Sequence, residues 1–111
     1  SEISGGMLKR AAIARAMALD PEILFLDEPS AGLDPITSAG LDALILSLSR
    51  DLGITFVVIT HELQSILAIA DRVIMLDRAA KGMIAEGDPR TLRDEATQPT
   101  VRAFFRREVL A

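Results

Sequence analysis

At 111 residues, half of them apolar and only four aromatic, all Phe, the chain is one domain or part of one, with an aliphatic core of the kind found in covered parallel sheets. It has no cysteine, which excludes a disulfide framework and a thiolate metal site and fits a reducing compartment. Its charge of −4 is uneven: residues 1–77 hold five basic and eleven acidic side chains and residues 78–111 hold seven and five, and so acidic a body excludes broad nucleic-acid binding, which needs a basic surface to displace counterions.

The chain opens Ser1-Glu2-Ile3-Ser4-Gly5-Gly6. There is no initiating Met, and neither the basic region nor the apolar core of a leader peptide, so it reads as starting inside a longer protein. Gly5-Gly6 begin a stretch through Leu19 rich in Ala, Leu, Met, Lys and Arg, which predicts a helix with Ser4 as its N-cap. Asp20-Pro21 closes it, because a residue before proline avoids the α region. Ile23–Leu26 is a short apolar run ending in Asp27-Glu28-Pro29 and reads as a buried strand. Asp34-Pro35 is a helix start, with Asp as N-cap and Pro at the first helical position. The helix that follows carries Leu41, Leu44, Ile45, Leu48 and Leu52 on one face, and Gly53 stops it.

Thr55–Ile59, β-branched and aromatic, is a second buried strand, ending at Thr60-His61-Glu62. A short helix with Leu63, Ile66, Leu67 and Ala70 inward comes next. Arg72–Leu76 is a third strand, paired as a hairpin with Met83–Glu86. Asp88-Pro89 starts one further helical turn, Arg93–Pro99 is the expected mobile link, and Pro99–Leu110 is a last helix with Val101, Phe104, Phe105 and Val109 as its stripe. No apolar run approaches the roughly 20 residues that span a bilayer. Alternating strands and helices predict an α/β fold, with ligands at the carboxyl ends of the strands.

Both of the first two strands end in groups able to do chemistry. An apolar strand closing on Asp27-Glu28 is a Walker B arrangement: the strand holds Asp27 near a magnesium ion, usually through water, and Glu28 can orient or deprotonate an attacking water. Taken alone, the same residues are also an ordinary polar turn. Ser4-Gly5-Gly6 sit at a helix start, where unsatisfied N–H groups and the dipole suit an anion and glycines let a phosphate approach the backbone. Taken alone, that is a flexible helix start. Ser30-Ala31-Gly32-Leu33-Asp34 is a loop with an N-cap Asp. His61, directly after a strand, is either structural or placed to sense a γ-phosphate.

The order of these four features resembles the ATP-binding-cassette (ABC) ATPase family throughout residues 1–87, as signature motif, Walker B, D-loop and switch histidine. The resemblance implies a three-layer P-loop NTPase fold with a mainly parallel sheet, and an ATPase that uses ATP and magnesium. Asp27 would help hold the metal, Glu28 would act as general base and His61 would contact the γ-phosphate. Asp34 would work across a dimer interface, and Ser4, Gly5 and Gly6 would face the ATP of the opposite subunit. It also implies a second ATPase subunit and transmembrane permease subunits as partners, at the inner face of the cell membrane. The fifth signature position, usually Gln, is Met7, which lacks the amide donor. A Gly-Gly-Met signature followed by Asp34-Pro35-Ile36-Thr37-Ser38 looks like the ATPases of Mla-type lipid transporters.

No G-x-x-x-x-G-K-[ST] occurs, and no glycine is followed by lysine. The loop that cradles the α- and β-phosphates is therefore missing from these residues. In the family its strand lies between those matching 55–59 and 72–76, so a gap in the sheet is expected there, and the 111 residues alone are expected to be inactive. Two other readings stand beside the transporter motor. One is a non-transport ABC ATPase of another class. The other is a non-enzymatic module in which residues 88–111, through Phe104-Phe105 and Arg102, Arg106 and Arg107, dock a partner.

Overall fold

A computed structural model describes residues 4–110; Ser1, Glu2, Ile3 and Ala111, and with them the reading of the first three residues, lie outside it. The described residues form two compact units, one running to His61 and the other starting at Glu62.

The first unit holds α1 (Gly5–Met17), β1 (Ile23–Asp27), α2 (Pro35–Leu52) and β2 (Thr55–Ile59). Ser4 caps α1 as expected, its Oγ accepting the Met7 N–H at 3.1 Å. The helix ends at Met17, two residues before the expected Leu19. Asp20 then turns the chain at φ 52°, a left-handed conformation that Asp tolerates better than most residues. Asp34 caps α2, with Pro35 in its first turn, and Gly53 closes it at φ 66°. Leu41 and Ile45 of α2 are buried, Leu41 almost completely at 1% exposure, and Leu44 and Leu48 are half-buried. Leu52, expected on the same face, is exposed in the final turn, one residue before Gly53 ends the helix.

The two strands run parallel with Ile23 opposite Thr55 and Asp27 opposite Ile59. They are not buried on both sides. Leu24, Leu26, Phe56 and Val58 share a half-buried face, while Ile23, Phe25, Val57 and Ile59 on the other are exposed, Phe25 by 70%. Continuous apolar strands of this kind suit a sheet covered on both faces. Among the described residues only one of those faces has a cover.

The second unit holds α3 (Leu63–Ile69), β3 (Val73–Asp77), β4 (Gly82–Gly87), α4 (Pro89–Glu95) and α5 (Pro99–Arg106). Strands β3 and β4 pair antiparallel, as the hairpin reading requires, with an irregularity between Met75 and Leu76. The Asp77 carboxylate accepts the Ala80 N–H at 3.1 Å, and Lys81 takes φ 56° to complete the turn. Strand β2 pairs with β1 and β3 with β4, so the described residues contain no strand linking the two ladders.

Ile66, Val101 and Phe105 form a buried cluster, with Leu63, Val73, Met75, Ile84, Leu92 and Phe104 packed against it. The stripe on α5 is therefore core of its own unit, which removes the main support for Phe104-Phe105 as a docking surface. Three expectations are corrected here. Asp88, accepting from the Arg90 and Thr91 N–H groups, starts a seven-residue helix rather than one turn. Residues 93–99 are not a loose link: 93–95 end α4, and the Arg106 guanidinium donates to the carbonyls of Arg93 and Asp94 at 2.6 Å each. Helix α5 stops at Arg106, with Arg107 at φ 55°, so Val109 leaves the stripe and is 95% exposed.

Candidate functional site

The parallel register sets the first grouping. Asp27 and Ile59 are opposite partners at the carboxyl ends of β1 and β2, so the residues just past them, Glu28 on one side and Thr60-His61 on the other, leave the sheet at one edge. The Glu28 N–H donates to the Ile59 carbonyl at 2.7 Å. Glu28 itself sits at φ 48°, a conformation a non-glycine residue adopts at a cost of about 1–3 kcal/mol and one that recurs at functional sites. The turn swings its side chain back to His61, whose Nδ1 lies 2.7 Å from Glu28 Oε1. The carboxylate can only accept, so Nδ1 carries the proton in this pair. Glu28 is 32% exposed and His61 77%, and Glu28 Oε2 is buried with no hydrogen-bond partner. A carboxylate thus has one oxygen held by a histidine and the other buried without a partner. Asp27 is exposed at the strand end beside it.

The second grouping was only half legible. Ala31 N–H donates to the Glu28 carbonyl and Leu33 N–H to the Ser30 carbonyl, both at 3.1 Å, and Gly32 takes φ 78°. These turns lead the chain from Glu28 to Asp34. There the carboxylate uses both oxygens on Thr37: Oδ1 accepts its backbone N–H at 2.8 Å and Oδ2 its hydroxyl at 2.7 Å. Those bonds, the backbone one foremost, hold the Asp34 carboxyl below the usual carboxylate range. Because the folded value is the lower one, the cap is fully present above the ordinary Asp range. It is lost as pH falls through the depressed value. Following the first turn of α2 by NMR during acid titration should show this loss, and Asp34→Asn, a comparable capping residue, should remove that pH dependence.

The start of α1 packs on this same loop. A Cβ built on Gly5 would lie 3.1 Å from Leu33 Cδ2, and one on Gly6 only 2.5 Å from Thr37 Cγ2. Gly5 is exposed and Gly6 buried. The sequence suggested glycines that admit a phosphate; the fold adds that Gly6 must be glycine to seat α1 on α2. Thr37 was not singled out from the sequence. Its capping relation to Asp34, three residues away, was visible there, but its contact with Gly6 had no sequence signal.

Among the described residues no cluster of three or more His, Asp or Glu side chains could hold a metal by itself. Magnesium keeps several waters and takes one or two carboxylates together with substrate phosphates. The exposed carboxylate of Asp27 at the strand end fits that donor set.

An α/β segment whose parallel strands end in Asp-Glu and His, preceded by a glycine-started helix, is what a cassette ATPase presents at its nucleotide edge. The ABC transporter family matches residues 1–31. The chain is 45% identical over 105 residues to the intermembrane phospholipid transport system ATP-binding protein MlaF of Escherichia coli K12, covering 95% of this chain and 38% of that protein. It is 35% identical over 109 residues to the glycine betaine uptake system ATP-binding protein YehX of the same strain, covering 98% of this chain and 35% of that protein. In structure it is similar to cbiO1 of Clostridium perfringens, part of the cbiONQ transporter complex, at TM-score 0.78 and 33% identity over 85% of this chain and 37% of that one. It is also similar to an ATP-binding cassette of an ABC transporter in its ADP conformation, at TM-score 0.77 and 30% identity over 96% of this chain and 41% of that one. The chain belongs to the ABC transporter ATP-binding family and spans little more than a third of the length of these relatives.

Proposed function

We propose that these residues are the C-terminal part of the ATP-hydrolysing subunit of an ABC transporter that moves lipid, most simply phospholipid. The observation that carries the hydrolytic role is the Glu28–His61 pair at the shared strand edge, 2.7 Å apart, with Glu28 Oε2 buried and unpartnered. In this reading Glu28 is the general base, His61 orients it and meets the γ-phosphate, and Asp27 helps hold magnesium through water. Ser4, Gly5 and Gly6, with the N–H groups at the start of α1, face the ATP of a second subunit, and Asp34 lies at that dimer interface. Binding at such an edge is electrostatic: N–H dipoles and a metal neutralise phosphate charge.

Residues 1–87 are the motif-bearing part and residues 88–111 a helical extension. The partners are a second copy of the ATPase and membrane-embedded permease subunits, which would hold the protein at the cytoplasmic face. The described residues contain no helix long and apolar enough to cross a membrane. The lipid assignment is supported by the Gly-Gly-Met signature together with the 45% identity to MlaF; the relative named for glycine betaine uptake is the reason to test it directly.

The purified 111-residue chain should show no magnesium-dependent ATP turnover, and the complete cassette should show it. Turnover by the 111 residues alone would overturn the division of the site proposed here. With permease subunits in proteoliposomes, ATP should drive movement of labelled phospholipid and not of labelled betaine; the reverse would replace the lipid reading.

A further inference from the structure

We propose that Thr37 is a positioning residue that ties the glycine-bearing start of α1 to the Asp34 loop, its methyl seated on Gly6 and its hydroxyl held by Asp34. The proposal rests on the hydrolytic reading above. Three observations converge on this one side chain. A Cβ on Gly6 would come within 2.5 Å of Thr37 Cγ2, a separation that real Cβ contacts essentially never show. The Thr37 hydroxyl donates to Asp34 Oδ2 at 2.7 Å while its N–H donates to Oδ1 at 2.8 Å. Leu33, one residue before Asp34, lies against Gly5.

Threonine alone among the common residues offers both a methyl and a donor on one Cβ, and its χ1 has few wells. With the hydroxyl fixed on Asp34, the methyl has one place to go, and that place is Gly6. The backbone N–H groups of Gly5 and Gly6 are thus set relative to the loop that leaves Glu28. A shift of the Asp34 loop would move the start of α1 with it, so the two would engage a nucleotide together.

The test uses the complete ATPase, with wild type and Glu28→Gln as controls. Gly6→Ala drives a methyl into Thr37 and should lower kcat/KM by about tenfold, mainly through a higher KM for ATP. Thr37→Ser keeps the donor but removes the methyl that seats Gly6, and should raise the KM for ATP by about threefold with kcat little changed. The double variant Gly6→Ala/Thr37→Ser should recover to within about threefold of wild type, the coupling expected of residues in contact. A double variant no better than Gly6→Ala, or a Gly6→Ala protein as active as wild type, overturns the proposal. Should Gly6→Ala fail to fold, Thr37→Val decides: it keeps the methyl and loses the donor. A KM raised about threefold with an unchanged melting temperature supports the tie, and an unchanged KM overturns it. If wild type shows no ATPase, or Glu28→Gln leaves it intact, the hydrolytic reading fails instead, and the two failures are distinguishable.

Discussion

Glu28→Gln in the complete ATPase is expected to lower kcat by about 10²–10⁴-fold, or roughly 2.7–5.5 kcal/mol of barrier, while ATP binding persists. The substitution is nearly isosteric. A Gln carbonyl at position 28 can still accept from His61 Nδ1, so the 2.7 Å contact and the turn at φ 48° should survive. What is lost is a basic oxygen at the position of Oε2, which is buried without a partner and in this reading receives the proton of the attacking water. ATP should then remain bound and unhydrolysed, and nucleotide-driven dimers should accumulate. Single-turnover kinetics separate this from weaker binding. An unchanged kcat would remove Glu28 from the base role and leave the His61 contact as a structural pair.

Phe105→Ala should destabilise the second unit by about 3–5 kcal/mol, as truncation of a buried aromatic typically does. Phe105 is 2% exposed and packs with Ile66 and Val101. Its ring meets Phe104 edge-to-face, centroids 5.1 Å apart at 88°, a geometry that adds to simple burial. A loss of this size is a large share of the 5–15 kcal/mol by which domains are stable. The urea midpoint of the complete protein should fall accordingly, while Phe105→Leu costs much less. If Phe105→Ala left the midpoint unchanged but released a partner protein, the docking reading of this helix would return.

Much of the fold was legible because the signals are local. Asp34-Pro35 and Asp88-Pro89 cap and start helices within a few residues of themselves, Gly53 supplies the left-handed stop, and the apolar runs at 23–26 and 55–59 match β1 and β2 to within a residue. The α5 end was misread because its stop depends on Arg107 entering a left-handed turn, for which Arg carries no clear signal. The link at 93–99 was misread because what orders it is Arg106, a dozen residues away.

By itself the sequence determined which groups are available and in what order: Ser4-Gly5-Gly6, Asp27-Glu28, Asp34 and His61, each at the end of a helix or strand. These are short-range facts, set by capping, propensity and apolar runs. Only the tertiary structure decided that Glu28 meets His61 across 33 residues, that Gly6 meets Thr37, and that Leu24, Leu26, Phe56 and Val58 share the half-buried face of the β1–β2 pair. Such contacts follow from strand register and helix seating, which emerge when distant segments pack and leave no mark on either segment alone.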